Sequence, residues 1–322
     1  MARVFIDGFE AGDLKLWDVI GETPDMVSSI AGMDGTYCVY VGSSEYFQRA
    51  LPAAAEYYFA FRFIPDSASI VNIIKLYAGA TAIGLITRSS AGFLEARVGS
   101  TVVATGPALL LLTTYLIEVR YKIANSGGII QVKADGILVI DYSGDTQPGA
   151  DTTMNQMRLG YDGGSNFGAA WFDNVVVDNA AWPGNTNIQA IRPTGAGAAA
   201  NWTPSAGNNW DCVEEVPANE TDYVATNTAN IVDTYVTGNM TGLVSLVKCV
   251  QVQALTKFEG APTPANLQLV VRPVATDRVS ASIAIPAASA QLSAIWETNP
   301  DTANAWAESE INGSEIGVKA VA

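Results

Sequence analysis

The sequence has no histidine. That absence removes Ser-His-Asp and Cys-His nucleophile systems, zinc motifs built on imidazole, and the side chain best suited to general base work near neutral pH. Charge is also scarce. Only 15% of residues are Asp, Glu, Lys or Arg, against about 25% in an ordinary globular domain. The charge present leans to one sign, 17 Lys+Arg against 32 Asp+Glu, for a net charge of -15. The counts are 11 against 19 up to Trp182 and 6 against 13 beyond it, so the acidity is spread and is not a tail. Such a surface repels phosphate backbones and argues against a nucleic-acid partner. Cysteine is limited to Cys38, Cys212 and Cys249, odd in number and with no CxxC pair. They read as small buried hydrophobes of a reducing compartment, with Cys212 and Cys249 the one pair that neighbouring strands could bridge. Long apolar runs are missing too. The longest aliphatic stretch, 108–112, falls far short of the roughly 20 residues of a membrane helix. The N-terminus lacks a basic segment followed by an apolar run, which predicts no export signal, no membrane insertion and a cytoplasmic origin.

What is abundant is apolar residues, at 49% of 322, enough to bury a sizeable core and to argue against disorder. Helical periodicity is nearly absent. Short runs rich in Val, Ile, Tyr, Phe and Thr alternate with Gly, Pro, Asn, Asp and Ser, which predicts strands at 57–64, 70–76, 82–87, 93–98, 115–123, 129–134 and 137–142. Asp135-Gly136 between two of these runs is a strong hairpin signal. With the turn at 125–128 it makes three successive strands a meander. Further strands are predicted at 221–225, 231–235, 243–255, 267–273, 280–285, 291–296 and 315–320, with one short helix or turn near 303–311. Between 178 and 200 the texture changes to Pro, Gly and small residues. The expected architecture is therefore all-β: two β-sandwich, jelly-roll-like domains, 1–182 and 183–322, joined by a short Pro/Gly linker. The glycine-rich stretch 194–200 has no phosphate-loop pattern and reads as linker or interface arm.

Two stretches of the first domain carry a family likeness. Residues 5–17 open it with Asp7, Phe9, Glu10, Gly12, Leu14 and Trp17, and residues 171–178 close it with Trp171, Asp173, Val175, Val177 and Asp178. Together with 115–121 and the 131–138 segment around Asp135-Gly136, they resemble the concanavalin A-like, laminin-G-like lectin sandwich over about residues 3–180. In that fold the first and last strands lie near each other. The second domain, about 185–322, resembles C-terminal domains of phage virion proteins on residues 210–215, 299–302, Trp306 and 315–319. The resemblance implies a component of a virion, without saying which part.

The lectin-like resemblance implies one candidate metal site. Members of that family often hold Ca²⁺ between the first and last strands, and Asp7, Glu10, Asp13 and Asp173 are the residues here that match. Calcium takes six to eight oxygens, and loops rich in Asp and Gly supply them. The competing reading is turn chemistry at Asp7-Gly8 and Ala11-Gly12-Asp13, with the carboxylates capping backbone amides, and it is the preferred one. No other cofactor is expected. A glycan site is the family's second option, and the 161–167 loop offers Tyr161, Asp162, Asn166 and Phe167: rings to stack on sugars, a carboxylate and an amide to read hydroxyls. A plain solvent loop is the preferred alternative there. No strand carries carboxylates two apart of the kind that glycosidases use, so no enzyme is expected.

The function these readings favour is a non-catalytic bacteriophage structural protein, a capsid decoration protein, head fibre or tail component. It would act through contacts with other virion proteins and as a homo-oligomer, a trimer by analogy with threefold particle axes. The alternative is an adhesion protein that binds host glycan. A polysaccharide hydrolase ranks third.

Overall fold

The computed structural model describes residues 3–161, 167–242, 246–260 and 264–322. The protein is all-β, and its named sheet pairings are antiparallel. It divides into two compact units, one of Met1–Glu10 with Trp17–Ile188, the other of Ala11–Leu16 with Gln189–Ala322.

The first unit contains β1 (Arg3–Asp7), β2 (Val19–Gly21), β3 (Asp25–Ser28), β4 (Tyr37–Val41), β5 (Tyr46–Ala54), β6 (Glu56–Pro65), β7 (Val71–Ala78), β8 (Thr81–Arg88), β9 (Phe93–Val98), β10 (Thr101–Ala108), β11 (Tyr115–Lys122), β12 (Gly128–Ala134), β13 (Ile137–Gly144), β14 (Met154–Gly160) and β15 (Ala170–Asp178). They form two sheets. One runs β13-β12-β11-β6-β15-β4-β3, with β1 also paired to β15; the other runs β10-β9-β8-β7-β14-β5-β2. The first and last strands of the unit are thus direct neighbours. Alternation along each strand builds the core. Tyr57, Phe59, Phe61 and Phe63 of β6 point inward with Ile117, Val119 and Tyr121 of β11, all fully buried. The two sheets meet through these rings. Phe47 of β5 packs edge-on against Phe172 of β15 at 5.8 Å, and the Tyr121 hydroxyl donates to the Ile83 carbonyl across the sandwich. Each such buried ring contributes about 1.5–3 kcal/mol of hydrophobic stabilisation. The β12–β13 hairpin turns on Asp135 and Gly136, both at positive φ (51° and 80°), as a primed turn demands.

The second unit contains β16 (Pro193–Ala200), β17 (Thr203–Pro204), β18 (Val224–Ala225), β19 (Val232–Thr237), β20 (Val250–Thr256), β21 (Asn266–Arg272), β22 (Arg278–Val279), β23 (Ile283–Ala284), β24 (Ala290–Trp296) and β25 (Glu315–Val321). Its main sheet runs β16-β19-β25-β21-β22, with β23 also on β21. The antiparallel pair β20–β24, whose strands are separated in sequence by β21–β23, supplies the second layer. Val252, Leu292, Ala294 and Trp296 pack on Leu267, Leu269 and Val271, with Trp306 closing the core. The expected helix is a single turn, α1 (Glu308–Ile311). The strand expected over 243–255 begins only at Val250, and residues 243–245 lie outside the described residues.

One segment differs from the sequence reading. The glycine-rich stretch expected to be a linker or arm is the edge strand β16, paired with β19 and held further by Ala198 N–H to Glu315 Oε2 (2.8 Å) and Ala199 N–H to Thr234 Oγ1 (3.1 Å). Small residues are required there, since a Cβ on Gly197 would crowd the Thr234 carbonyl and Glu315. The first unit continues past Trp182 to Ile188. Gly184 N–H donates to Glu118 Oε1, Arg62 to Asn185 Oδ1, and Ile188 N–H to Asn174 Oδ1, all at 2.9 Å.

Candidate functional site

The carboxylates that the sequence singled out at the two ends of the first unit sit on adjacent elements, because β1 pairs with β15. Asp7 ends β1. Its Oδ1 accepts from Phe9 N–H and its Oδ2 from the Trp17 indole, both at 2.8 Å. Phe9 sits at φ 59°, and the Asp7 carboxylate fixes that tight bend. Glu10 reaches the 30–36 loop, accepting from Thr36 N–H through both oxygens (2.8 and 3.0 Å) and from Tyr37 N–H. Gly35 makes this approach feasible, since a Cβ there would collide with Glu10 Oε1.

Asp173 is fully buried on β15, where a bulge interrupts pairing with β6. Its Oδ2 accepts from Asp34 N–H (2.9 Å) and its Oδ1 from Asn174 N–H (2.6 Å). Asn174 occupies the left-handed region (φ 51°), and its Nδ2 donates to Asp34 Oδ2 at 2.8 Å. Arg62 Nε stands 3.6 Å from the same oxygen. Burial pushes the Asp173 carboxyl up to about 8, and the neighbouring Asp34 and Glu10 charges push the same way, against the two backbone donors. The result is a stitch: Glu10, just after β1, and Asp173 of β15 collect backbone donors of the 30–36 loop.

Of the four residues matched to a calcium site, Asp7, Glu10 and Asp173 belong to the first unit and act as acceptors for the fold's own N–H groups. Asp13 belongs to the second unit. There its Oδ1 accepts from Lys15 N–H (3.0 Å), and burial raises its pKa. Among the described residues, no group of three or more Cys, Asp or Glu is set to hold a metal ion. Asp34, Arg62 and Asn174 complete the cluster and escaped the sequence reading. The Asp34-Gly35 pair was a turn signal that could have flagged the loop, but nothing local ties it to residue 173.

For the glycan candidate, Tyr161 and Phe167 lie with their rings stacked, 15° apart in plane. Tyr161 N–H donates to the Glu45 carbonyl, and its ring lies close enough to Lys75 to interact with it electrostatically. Asp162 and Asn166 lie outside the described residues. Nearby, the Arg158 guanidinium lies over the Tyr46 ring (4.0 Å) and the Tyr77 ring (4.8 Å) while donating to Gln48. The three cysteines remain thiols. Burial lifts Cys38 to about 11 and so quenches its nucleophilicity.

No protein-family model matches the chain, and no curated protein matches it. Among solved structures it is similar to a sialidase at 16% identity and a TM-score of 0.37, over 48% of this chain and 17% of that one. It is similar to alginate lyase Aly36B at 14% identity and a TM-score of 0.35, over 46% and 82% of the two chains. A Trypanosoma rangeli sialidase gives 12% identity and a TM-score of 0.36, over 47% and 26%. The chain spans under a fifth of the first sialidase's length and about a quarter of the second's.

Proposed function

We propose that the protein is a non-catalytic structural component of a bacteriophage particle, a capsid decoration protein, head fibre or tail component, that works through protein–protein contacts. The observation that carries this reading is apolar surface on a well-filled unit. Leu110, Leu112 and Ile137 are 66%, 68% and 69% exposed. Clustered exposed aliphatics of this size mark interaction surfaces. The engagement of Asp7, Glu10 and Asp173 by backbone donors supports a role without acid–base chemistry. The likeness of residues 210–215, 299–302 and 315–319 to phage virion domains supplies the particle. Gold-labelled antibody against this chain should decorate purified particles in electron micrographs; an unlabelled particle overturns the reading.

A second reading, host-glycan adhesion, is favoured by the stacked Tyr161 and Phe167 beside Lys75. A glycan array should then show binding that Phe167→Ala reduces at least tenfold. Binding that Phe167→Ala leaves unchanged, or an array with no binding, counts against it.

A further inference from the structure

Arg88 ends β8 and is only 6% exposed. Its Nε donates to the Leu109 carbonyl (3.0 Å) and its Nη1 to the Ser67 carbonyl (3.1 Å). No carboxylate among the described residues pairs with it, in a chain that carries 32 acidic side chains. Burial lowers its pKa, yet arginine stays charged in proteins. A buried charge without a counter-charge is costly, and proteins rarely keep one idle. Nη2 makes no hydrogen bond among the described residues and is not among the unpartnered side-chain atoms sealed from solvent, so it keeps some solvent contact. It does so beside Gly92 (φ 91°), where an added Cβ would stand 3.2 Å from it.

The surface around that opening is apolar. Leu109 N–H donates to the Gly92 carbonyl, and Phe93 pairs with Ala108. Leu110 N–H is held by the Tyr115 hydroxyl (2.8 Å) and Leu112 N–H by the Pro65 carbonyl (2.9 Å). The β12–β13 turn brings Ile137 and Leu138 to the same end, since Asp135 N–H donates to the Leu116 carbonyl. Leu112 is fixed at φ 54°, a conformation costly for leucine. The loop is therefore pinned by its backbone with Leu110, Leu111 and Leu112 outward and Leu109 buried. Residues 98–117 contain no charged side chain.

We propose that this end of the first unit docks an extended segment of a partner protein that carries a carboxylate among apolar side chains. The carboxylate pairs with Arg88 Nη2, and the flanking side chains cover Leu110, Leu112 and Ile137. Charge complementarity selects the carboxylate. The absence of Lys or Arg across 98–117 speaks against an anionic membrane, which is held by clustered basic residues. The inference rests on the assembly reading above and names the partner's chemistry.

The test uses the whole chain and two fluorescent probe peptides, acetylated and C-terminally amidated, Leu-Val-Glu-Val-Leu and its Gln counterpart, in anisotropy titrations. The wild type should bind the Glu peptide at least tenfold more tightly than the Gln peptide. Arg88→Met should abolish that preference, with circular dichroism confirming the fold. Leu110→Ser and Ile137→Ser, both at exposed positions, should weaken both peptides, which keeps the proposal testable if Arg88→Met fails to fold. Equal affinity of the two peptides for the wild type, binding of neither, or a stronger response to phosphatidylserine vesicles overturns it. Particle labelling that succeeds while the peptides fail overturns this inference alone and leaves the assembly reading standing.

Discussion

Asp173 is buried among Asp34, Glu10 and Arg62, and its position decides how the first unit responds to pH. Its carboxyl rests at about 8 in the fold, against an ordinary value of 3.8. Between those values the folded protein binds a proton that the unfolded chain has released, so stability falls as pH rises through that window. Below about 4 both states are protonated, and above about 8 both are ionised, so the effect is flat at either side. Replacing the group isolates it. In Asp173→Asn the pH-linked part vanishes, while one of the donors from Asp34 and Asn174 loses its acceptor, at about 1–3 kcal/mol. The variant should therefore be less stable than the wild type at pH 5, and the gap should close or reverse at pH 9. The closure is bounded by ~4 kcal/mol for the three units between pH 5 and 8. Urea unfolding at the two pH values checks this; parallel shifts of wild type and variant would sink it.

At the scale of elements, the β12–β13 hairpin tests how far local sequence specifies structure. Gly136 holds φ 80° with nothing within 4 Å of an added Cβ, so its requirement is purely conformational. Gly136→Ala should cost about 1 kcal/mol, the left-handed penalty of a residue with a Cβ. Equilibrium denaturation would show it; a variant as stable as the wild type would mean the turn had relaxed to another type. Asp135 adds a second tie, its Oδ1 accepting from Leu116 N–H at 2.8 Å. This hairpin was legible in the sequence because turn chemistry and alternation agreed within a dozen residues. The strand β16 was not. Gly195, Gly197 and the alanines beside them have weak strand preference and no apolar alternation. They extend only because β19, Thr234 and Glu315 supply partners from distant sequence. The carboxylate stitch fell between these cases. Residues 7, 10 and 173 stood out by type, and turn capping was the preferred reading of Asp7. The 30–36 loop, the joint partner of Glu10 and Asp173, depends on the pairing of β1 with β15, a contact between the two ends of the unit.

At the scale of the whole molecule, composition announced two all-β bodies, but the chain allots residues to them less simply than one cut near Pro183 implies. The second unit is discontinuous, taking in Ala11–Leu16. Within it Lys15 pairs with Glu220 at 2.6 Å, and Gly12 packs where a Cβ would stand 3.0 Å from Val216. The pair is solvent-exposed and contributes little by itself. The packing of the segment matters more. The first unit likewise extends six residues beyond Trp182. Glu118 is 2% exposed, and Gly184 N–H is its hydrogen-bond donor from this stretch. Asn174, already strained at φ 51°, receives Ile188 N–H. A fragment ending at residue 182 removes both donors and the Arg62–Asn185 bond, and it opens Glu118 to water. A fragment ending at 188 retains all three. The longer fragment should be more stable by about 1.5–4.5 kcal/mol, since three hydrogen bonds are retained and each is worth roughly 0.5–1.5 kcal/mol net. The urea midpoint should rise accordingly, with little change in slope because few apolar atoms are added to the core. Coincident midpoints for the two fragments would mean that residues 183–188 only lie along the first unit and do not hold it.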